Sequence, residues 1–347
     1  MKHLELHILQ TVPVSCLNRD DMNSPKTAIF GGVQRARVSS QSWKRAIREY
    51  AKEQSTLFAG NRSRLIVEPL KNALINKGLN ESDAVDGAKS IAEALAKMDD
   101  KKRGLQVKTL YFTSPGEINA LAEAYVKDKD GKKALKAVTP EILKDAADIS
   151  LFGRMVASDH SLTLEGASMF SHALSTHKVD NEIDFFSAVD DLKSPDESGA
   201  GMTGTLEFNS ATYYRFAALN LNLLFSESHL AALNADEKKE VLSVFIRSVL
   251  EAVPNARKNS MNGYTRPGYV VGVVRTKGHP VQMINAFEKP VRAWNGKSIM
   301  ELSIDELDKE AENLNTTWKL NADETRRVKI PEKNVEEFIK ELTDHAI

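Results

Sequence analysis

A stretch of 27 residues near the start of the chain is rich in side chains of the type that can bind phosphate. Residues 22–48 contain no acid, whereas at the chain's average of 48 acids in 347 residues about four would be expected there. Lysine and arginine bind phosphate oxygens without reading a base sequence, so the imbalance indicates a polyanionic partner. The six basic residues of the stretch are Lys26, Arg35, Arg37, Lys44, Arg45 and Arg48.

A helix is predicted to begin within this stretch, after two glycines and two serines. Gly31 and Gly32 would let the backbone turn or approach a ligand closely, and Ser39 and Ser40 have side chains that cap helix N-termini. The free N–H groups of that terminus and an adjacent basic face would together suit a phosphate. Charge alone leaves a solvated basic helix as an equally good explanation. The predicted apolar face holds Trp43, Ala46, Ile47 and Tyr50, and the opposite face holds Gln41, Lys44, Arg45 and Arg48.

Other motifs suggest chemistry less strongly. Residues 199–204 read GxGxxG, but strand-like residues follow them, which favours a hairpin tip over a dinucleotide site. His172 and His177 would lie on different faces of a helix, so a metal site is not expected. Cys16 lacks the His or Asn setting of a nucleophile. Asp20 and Asp21 are an acid pair of the kind nucleases use, but we favour a role in holding neighbouring arginines, because two acids alone bind metal poorly.

Composition places limits on the partners and the compartment. The formal net charge is −1, so nucleic-acid affinity requires local asymmetry, and residues 301–347 hold 13 acids against 7 bases. A single cysteine excludes an intrachain disulfide framework and agrees with a cytoplasmic location. No apolar run of 18 residues occurs, so we expect neither a signal peptide nor a membrane span.

The order of predicted elements indicates an α+β fold. A half-buried strand is predicted around residues 4–9, a helix to about 54 and a mostly helical tract over roughly 61–148. A short helix near 169–174, strands at 205–208 and 213–224, a helix at 236–252, a strand at 268–275 and helices near 303–315 and 332–343 follow. Without the helical tract, this order fits a ferredoxin-like (RRM-type) sheet. No aromatic RNP1 string is present, so RNA stacked on the sheet face is not expected.

The basic stretch also resembles a known signature. Residues 16–22 (CLNRDDM), 26–32 (KTAIFGG) and 35–46 (RARVSSQSWKRA) resemble the motifs of the CasC family, the CRISPR-RNA-binding backbone subunit of the type I-E Cascade complex. Further likeness occurs at 153–155 (GRM), 172–192, 204–215 and 285–289 (NAFEK). These segments bring about two-thirds of the chain into the resemblance, and residues 55–150 match poorly.

The resemblance implies an architecture and a set of partners. It implies a modified RRM palm formed by residues 1–55 and 205–347, a helical fingers insertion at 56–165 and a thumb hairpin at 175–210. Copies would stack in a helical filament along the CRISPR RNA, presenting its bases to target DNA. The other expected partners are the large, small, guide-end and guide-processing Cascade subunits. No cofactor, metal or enzymatic activity is implied.

The resemblance also implies residue roles. Palm contacts to guide phosphates would come from Asn18, Arg19, Lys26, Ser39, Gln41, Lys44 and Arg48, to which the predicted helix adds Ser40 and Arg45. Met155 and Phe186 match apolar residues beside a kink in the RNA, and Val189 matches a neighbouring thumb contact. At the thumb tip, either Met202 or Thr203 would intrude. Lys132, Lys133 and Lys136 align loosely with finger lysines that meet target DNA.

Two other functions remain open at the level of sequence. Backbone relatives in type III complexes cleave target RNA with an Asp in a palm loop, which Asp20 or Asp21 could match. The chain could also be an RNA-binding protein that works alone. The type I-E wording of the motifs favours the guide-binding backbone subunit over both.

Overall fold

A long strand near the start of the chain, β1 (His3–Ser15), forms the centre of an antiparallel sheet. The computed structural model describes residues 1–99, 101, 105–156, 158–188, 202–254 and 256–347. In it, β1 pairs with β9 (Met202–Asn220) on one side and with β10 (Tyr269–Arg275) on the other. The strand predicted around residues 4–9 is confirmed, but it is buried on both faces rather than one.

Polar residues occur on the second buried face of β1 because they satisfy one another. The Glu5 carboxylate lies 3.2 Å from His3 Nε2 and 3.3 Å from Arg275 Nε. His7 Nδ1 lies 2.9 Å from the Tyr214 hydroxyl of β9. A buried charge is tolerated only when it is paired and hydrogen-bonded, so this network explains why a strand with alternating polar residues can be fully enclosed.

The sheet has the ferredoxin-like strand order, which confirms the predicted α+β fold. Across the sheet the order is β10, β1, β9 and then the short strands β6 (Ser168–Phe170) and β7 (Ala173–Ser175), all antiparallel. Helix α1 (Ser40–Gln54) lies in the connection from β1 to β6, and α8 (Ala235–Glu251) lies between β9 and β10. The two helices pack side by side.

Helices cover both faces of the sheet. Helices α1, α8 and α10 (Val335–Ala346) share one hydrophobic core with it, in which Trp43, Phe245 and Phe338 are buried. On the opposite face, α9 (Ile299–Trp318) packs through Leu307 against the sheet. The face on which an ordinary RRM stacks bases is therefore occupied by protein.

A region of helices between α1 and β6 has its own hydrophobic core. It includes α2 (Val67–Asn76), α3 (Glu81–Leu95), α4 (Pro115–Asp128) and α5 (Gly131–Ala134), together with the small sheet of β4 (Asn61–Ser63) and β5 (Tyr111–Thr113). The next helix, α6 (Ala147–Phe152), packs into the core of the main sheet through Ala147 and Leu151. Asn80 and Ser114 cap α3 and α4, since each side chain accepts a backbone N–H in the first turn of its helix. The predicted domain boundaries stay predictions.

Several local predictions differ from the structure. Residues 169–174, predicted as a short helix, form β6 and β7, because both pair with the long strand β9. The strand predicted to residue 224 ends at Asn220, and the turn α7 (Leu221–Leu224) follows. Elements that the sequence did not predict are β2 (Thr27–Phe30), β3 (Val33–Val38) and β11 (Glu324–Ile330).

The hairpin of β8 (Glu182–Ala188) with the start of β9 stands beside the main sheet. Residues 202–204 of the GxGxxG motif lie in β9, paired with β8, so this half of the motif is in a hairpin strand rather than at the predicted tip, and residues 199–201 lie outside the described residues. No helix in the described parts of the chain is long and apolar enough to cross a membrane.

Candidate nucleic-acid interface

The N-terminus of α1 is fixed by a loop from the end of β1. Ser39 is the N-cap, and its Oγ accepts from the Ser42 N–H at 3.3 Å, as predicted. The Ser39 N–H in turn donates to Asn18 Oδ1 at 2.9 Å. The Asn18 carbonyl accepts from the Lys26 N–H at 2.9 Å, which fixes the loop a second time. Three residues of the predicted guide-binding set therefore meet at the start of this helix.

Lys44 and Arg48 lie on α1 above aromatic rings rather than against acids. Lys44 Nζ is 5.5 Å from the centroid of the Phe170 ring, and the Arg48 guanidinium is 5.2 Å from that of Phe112. Among the described residues, no carboxylate lies within 4 Å of either cation. Burial lowers the pKa of both side chains, and a partly desolvated cation gains more from an arriving phosphate than a solvated one.

Arg45 is held differently. Its side chain is 76% exposed, and Nε lies 2.8 Å from Glu49 Oε1 one turn along the helix. The hydrogen bond to Glu49 raises the pKa of Arg45. An exposed pair of this kind contributes little stability and exchanges readily. Of the three cations on the basic face, Arg45 is thus the one partly neutralised by its own chain.

An open groove of about 410 Å³ runs beside α1 and collects several predicted residues. Its walls include Asn18, Arg19, Ser42 and Arg45, with Glu49 beside them. Arg19 Nη1 donates to Asn23 Oδ1 at 3.1 Å. The groove therefore joins the capping loop to the exposed side of the helix, where a chain of phosphates could lie.

Asp20 lines the same groove but has a structural task. Its Oδ1 accepts from the backbone N–H groups of Met22 at 2.9 Å and Ser24 at 3.0 Å, closing the turn of the capping loop. The expectation that the two acids hold neighbouring arginines is wrong for Asp20, because its carboxylate accepts hydrogen bonds from backbone N–H groups instead. Asp21 is exposed. Within the described residues, no three His, Cys, Asp or Glu side chains are grouped so as to hold a metal ion.

Arg35 is the one cation of the basic stretch that the structure removes from the interface. Its side chain is fully buried and donates to the carbonyls of Ser175 at 2.9 Å and Phe287 at 2.7 Å. With these acceptors, its charge stabilises the junction of β3, β7 and the segment before α9. The sequence did not predict this, because a count of charges is blind to which side of a strand each one occupies.

His172 and Arg37 were not predicted as interface residues, yet they lie beside the α1 terminus. The Ser40 N–H points at His172 Nδ1 at 3.4 Å. Burial lowers the pKa of His172, and nearby Arg37 and Lys26 lower it further. The imidazole therefore accepts at the start of the helix, and the two cations lie close enough to act on it. For Arg37, the sequence offered one indication of an interface role: it lies in the basic stretch two residues after Arg35. The resemblance assigned neither arginine to RNA.

His177 has no part in this cluster. Its Nε2 accepts from the Thr212 N–H at 3.2 Å, and burial lowers its pKa. The prediction placed the two histidines on one helix, whereas they lie on either side of β7. Cys16 is fully buried, and burial raises the pKa of its thiol, so it is no candidate nucleophile.

In the helical region, Met155 is the most exposed of the predicted apolar contacts. Its side chain is 85% exposed although its neighbours Arg154 and Val156 are buried. An exposed methionine between two buried residues is placed to contact something outside the chain. Lys132, Lys133 and Lys136 are exposed on α5 and the turn after it.

The β8–β9 hairpin separates the predicted thumb residues by face. Phe186 is paired with Gly204, where an added Cβ would lie 2.7 Å from the ring, so the ring rests on the glycine. Residues opposite each other in an antiparallel pair share a face. Met202, opposite Ala188, therefore lies on the Phe186 face, while Thr203 lies on the other. Val189 lies outside the described residues.

The second face of the hairpin carries two residues that the prediction missed. Ile183 and Phe185 are 69% and 67% exposed. Together with Phe186 and Met202, they make a two-stranded ribbon with apolar side chains exposed on both faces. The period-two spacing of Ile183 and Phe185 was visible in the sequence, but the resemblance drew attention to Phe186 alone.

A sequence profile of the family described as "CT1975-like protein" matches residues 4–345. The chain belongs to the CT1975-like protein family. No curated protein matches this CT1975-like chain significantly.

Two solved structures are similar over almost the whole chain. One is a chain of a "CRISPR RNA-guided surveillance complex, pre-nicking", with 28% sequence identity, a TM-score of 0.83 and coverage of 99% of this chain and 100% of that chain. Another is a chain of a "CRISPR RNA-guided surveillance complex", with 24% identity, a TM-score of 0.64 and the same coverage. The second likeness shows the fold alone. The first extends over the interface described above.

Proposed function

We propose that this CT1975-like protein is a CRISPR-RNA-binding subunit of a Cascade-type surveillance complex. The observation that carries the proposal is the placement of Lys44 and Arg48 on one face of α1, without acids within 4 Å, beside a capped helix terminus. The family membership and the full-length likeness to a chain of an RNA-guided complex support it.

This surface supports a mechanism that binds the guide RNA whatever its base sequence. Lysine and arginine side chains, the hydroxyls of Ser39 and Ser40 and the N–H groups at the start of α1 would hold guide phosphates. Phosphate contacts position a nucleic acid but carry no base information. Met155, Phe186 and Met202 would contact bases through apolar surfaces that accept any base. Base pairing between guide and target DNA would then supply the specificity.

The finer assignment is to the backbone subunit of a type I-E complex. Its support is the near-continuous signature in residues 16–46. On this assignment, copies polymerise along the guide and associate with the large, small, guide-end and guide-processing subunits in the cytoplasm. The protein itself would not be an enzyme. The hydrogen bonds that engage Asp20 in its own loop argue against Asp20 as the catalytic residue of the type III ribonuclease alternative, which leaves Asp21 as its candidate.

Removing the two unpaired cations tests the proposal. We expect Lys44→Ala combined with Arg48→Ala to abolish guide-dependent assembly, and to lower the slope of log affinity against log salt by about 1.4 for single-stranded RNA. Filter binding and native gels at several salt concentrations measure both. The unfolding temperature checks that the variant folds.

A matched control removes the same charge elsewhere. Lys309→Ala combined with Lys340→Ala acts on α9 and α10 in the acidic C-terminal part of the chain. We expect normal assembly of this control. Equal assembly of both double variants would show that the α1 face does not hold the guide.

A further inference from the structure

Met155 is presented by a loop whose geometry is closely constrained. Gly153 has φ +79°, and an added Cβ there would lie 2.9 Å from the Gly166 N atom. This close approach lets Arg154 and Leu164 form an isolated antiparallel bridge. The Arg154 N atom lies 2.8 Å from the Leu164 carbonyl oxygen, and the Leu164 N atom lies 2.7 Å from the Arg154 carbonyl oxygen. The loop is thus attached to the chain segment that returns beside it.

The Arg154 side chain extends this attachment into the helical core. Its Nη1 lies 2.7 and 2.9 Å from the two carboxylate oxygens of Glu117 and 3.0 Å from the Phe112 carbonyl, while its Nε donates to the Leu162 carbonyl at 3.0 Å. The guanidinium also stacks over the Tyr111 ring at 5.2 Å. Although Arg154 is a cation next to an exposed apolar residue, its side chain is buried, and its Nε and Nη1 donors are engaged by acceptors of the same chain.

Glu117 is held as firmly as its partner. It lies in the first turn of α4, where its N–H donates to the Ser114 cap at 3.1 Å. Its side chain is fully buried, and Oε1 also accepts from the Tyr111 hydroxyl at 2.9 Å. Two buried ions are costly unless paired with good geometry, so the pair fixes the distance between α4 and the Met155 loop.

We propose that Arg154 and Glu117 are positioning residues that fix where Met155 meets the guide RNA, and that neither touches the RNA. The inference rests on the proposed function, since Met155 needs a guide to contact. It also assigns a function to the helical region, because the core of that region would fix the position of Met155 relative to the guide. The Phe112 backbone accepts from Arg154 while its ring lies under Arg48, so one residue of β5 braces both the apolar and the phosphate contact.

The test places 2-aminopurine, which fluoresces when unstacked, at successive guide positions. We expect binding of the wild-type protein to increase the 2-aminopurine fluorescence at specific guide positions, and Met155→Ala to reduce that increase by more than half. Arg154→Lys, which keeps the charge but loses the Nε donor, should reduce the same positions similarly, while the RNA affinity changes less than threefold and the salt slope is unchanged. In the Met155→Ala background, Arg154→Lys should have no further effect, because it acts through Met155.

Several outcomes separate the possible failures. Arg64→Lys, at an exposed arginine of the same region whose Nη2 lies 3.5 Å from Asp99, is the control and should keep the wild-type pattern. A folded Arg154→Lys with the wild-type pattern, or one with a lower salt slope, overturns the inference while the proposed function stands. If wild-type protein binds no guide, the proposed function fails instead. If Arg154→Lys does not fold, Tyr111→Phe decides: a reduced signal supports the inference and an unchanged one overturns it.

Discussion

The charged groups of Lys44 and Arg48 lie near aromatic rings rather than carboxylates, whereas the guanidinium of Arg35 donates to carbonyls inside the protein. All three lie in the stretch that the sequence singled out for its lack of acids. A charge count could find the stretch. It could not separate a cation that faces the interface from one that donates to buried carbonyls, because that depends on strand pairing with distant residues.

Asp148 is a buried acid directly behind the basic face. Its Oδ1 accepts from the Gly60 N–H at 3.2 Å, and its Oδ2 has no hydrogen-bond partner among the described residues. Burial raises the pKa of Asp148 to about 6, although Arg48 and Lys52 oppose the shift. The folded protein therefore keeps a proton on this group at a pH where the unfolded chain has already lost it.

The sign of the pH dependence follows from that difference. Because the native state binds more protons, this group lowers the free energy of unfolding as pH rises from about 4 to about 6, by about 3 kcal/mol in total. We expect Asp148→Asn, which cannot ionise, to gain stability relative to wild type over this range and to keep the gain at pH 8. Denaturant unfolding at pH 4, 6 and 8 measures it, with Asp21→Asn as the control for loss of one negative charge. A difference between Asp148→Asn and wild type that does not change with pH would contradict the account.

At the scale of elements, the sequence predicted most helices and the strands of the sheet centre, and it failed where pairing partners are far away. Helix α1 follows from its caps and apolar spacing, which are local. Residues 168–175 have spacing that suits a helix, but the 19-residue strand β9 needs partners along its length and takes them as β6 and β7. Likewise, the charged sequence of β11, ETRRVKI, does not predict a strand, and it forms one by pairing with β10.

The β2–β3 hairpin depends on its two glycines to different degrees. Both have positive φ, +60° at Gly31 and +75° at Gly32. An added Cβ at Gly31 would lie 1.7 Å from the Glu288 carbonyl oxygen, whereas at Gly32 it would meet nothing within 4 Å. The first glycine is therefore required by close approach, and the second only by its backbone conformation.

This pair gives a matched experiment. We expect Gly32→Ala to cost about 1 kcal/mol of unfolding free energy, the usual cost of a left-handed conformation for alanine. Gly31→Ala should cost at least about 2 kcal/mol more, because the hairpin must move away from Glu288. Denaturant titration of both variants measures the difference. Equal costs would show that the contact between the hairpin and the segment before α9 is not tight.

At the scale of the whole molecule, a nearly neutral chain separates its charges. The cations beside α1 lie in the first 50 residues, while residues 301–347 hold 13 acids against 7 bases. Since α9 covers the sheet face opposite α1, the surfaces that remain for RNA on the proposed function are the helix terminus, the groove and the β8–β9 hairpin. The sequence predicted this exclusion from the missing RNP1 string, and the predicted contacts at Lys44, Arg48, Met155 and Phe186 are each at least partly exposed.

The exposed apolar side chains of the β8–β9 hairpin indicate a contact made in an assembly. The β8–β9 hairpin has apolar side chains on both faces, among them Phe185 and Phe186, and within the described part of the chain Phe185 is 67% exposed. Exposed apolar surface of this kind marks contact sites. On the proposed function, that contact is the guide together with a neighbouring copy.

Native mass spectrometry with guides of increasing length tests the central claim most directly. If the protein is the backbone of a guide-bound filament, the number of bound copies must rise by one for each fixed increment of nucleotides, whatever the guide sequence. The Lys44→Ala, Arg48→Ala double variant must give no such series, while the Lys309→Ala, Lys340→Ala control must give the same series as wild type. A single copy bound at every guide length, or copy numbers that follow base sequence rather than length, would contradict it.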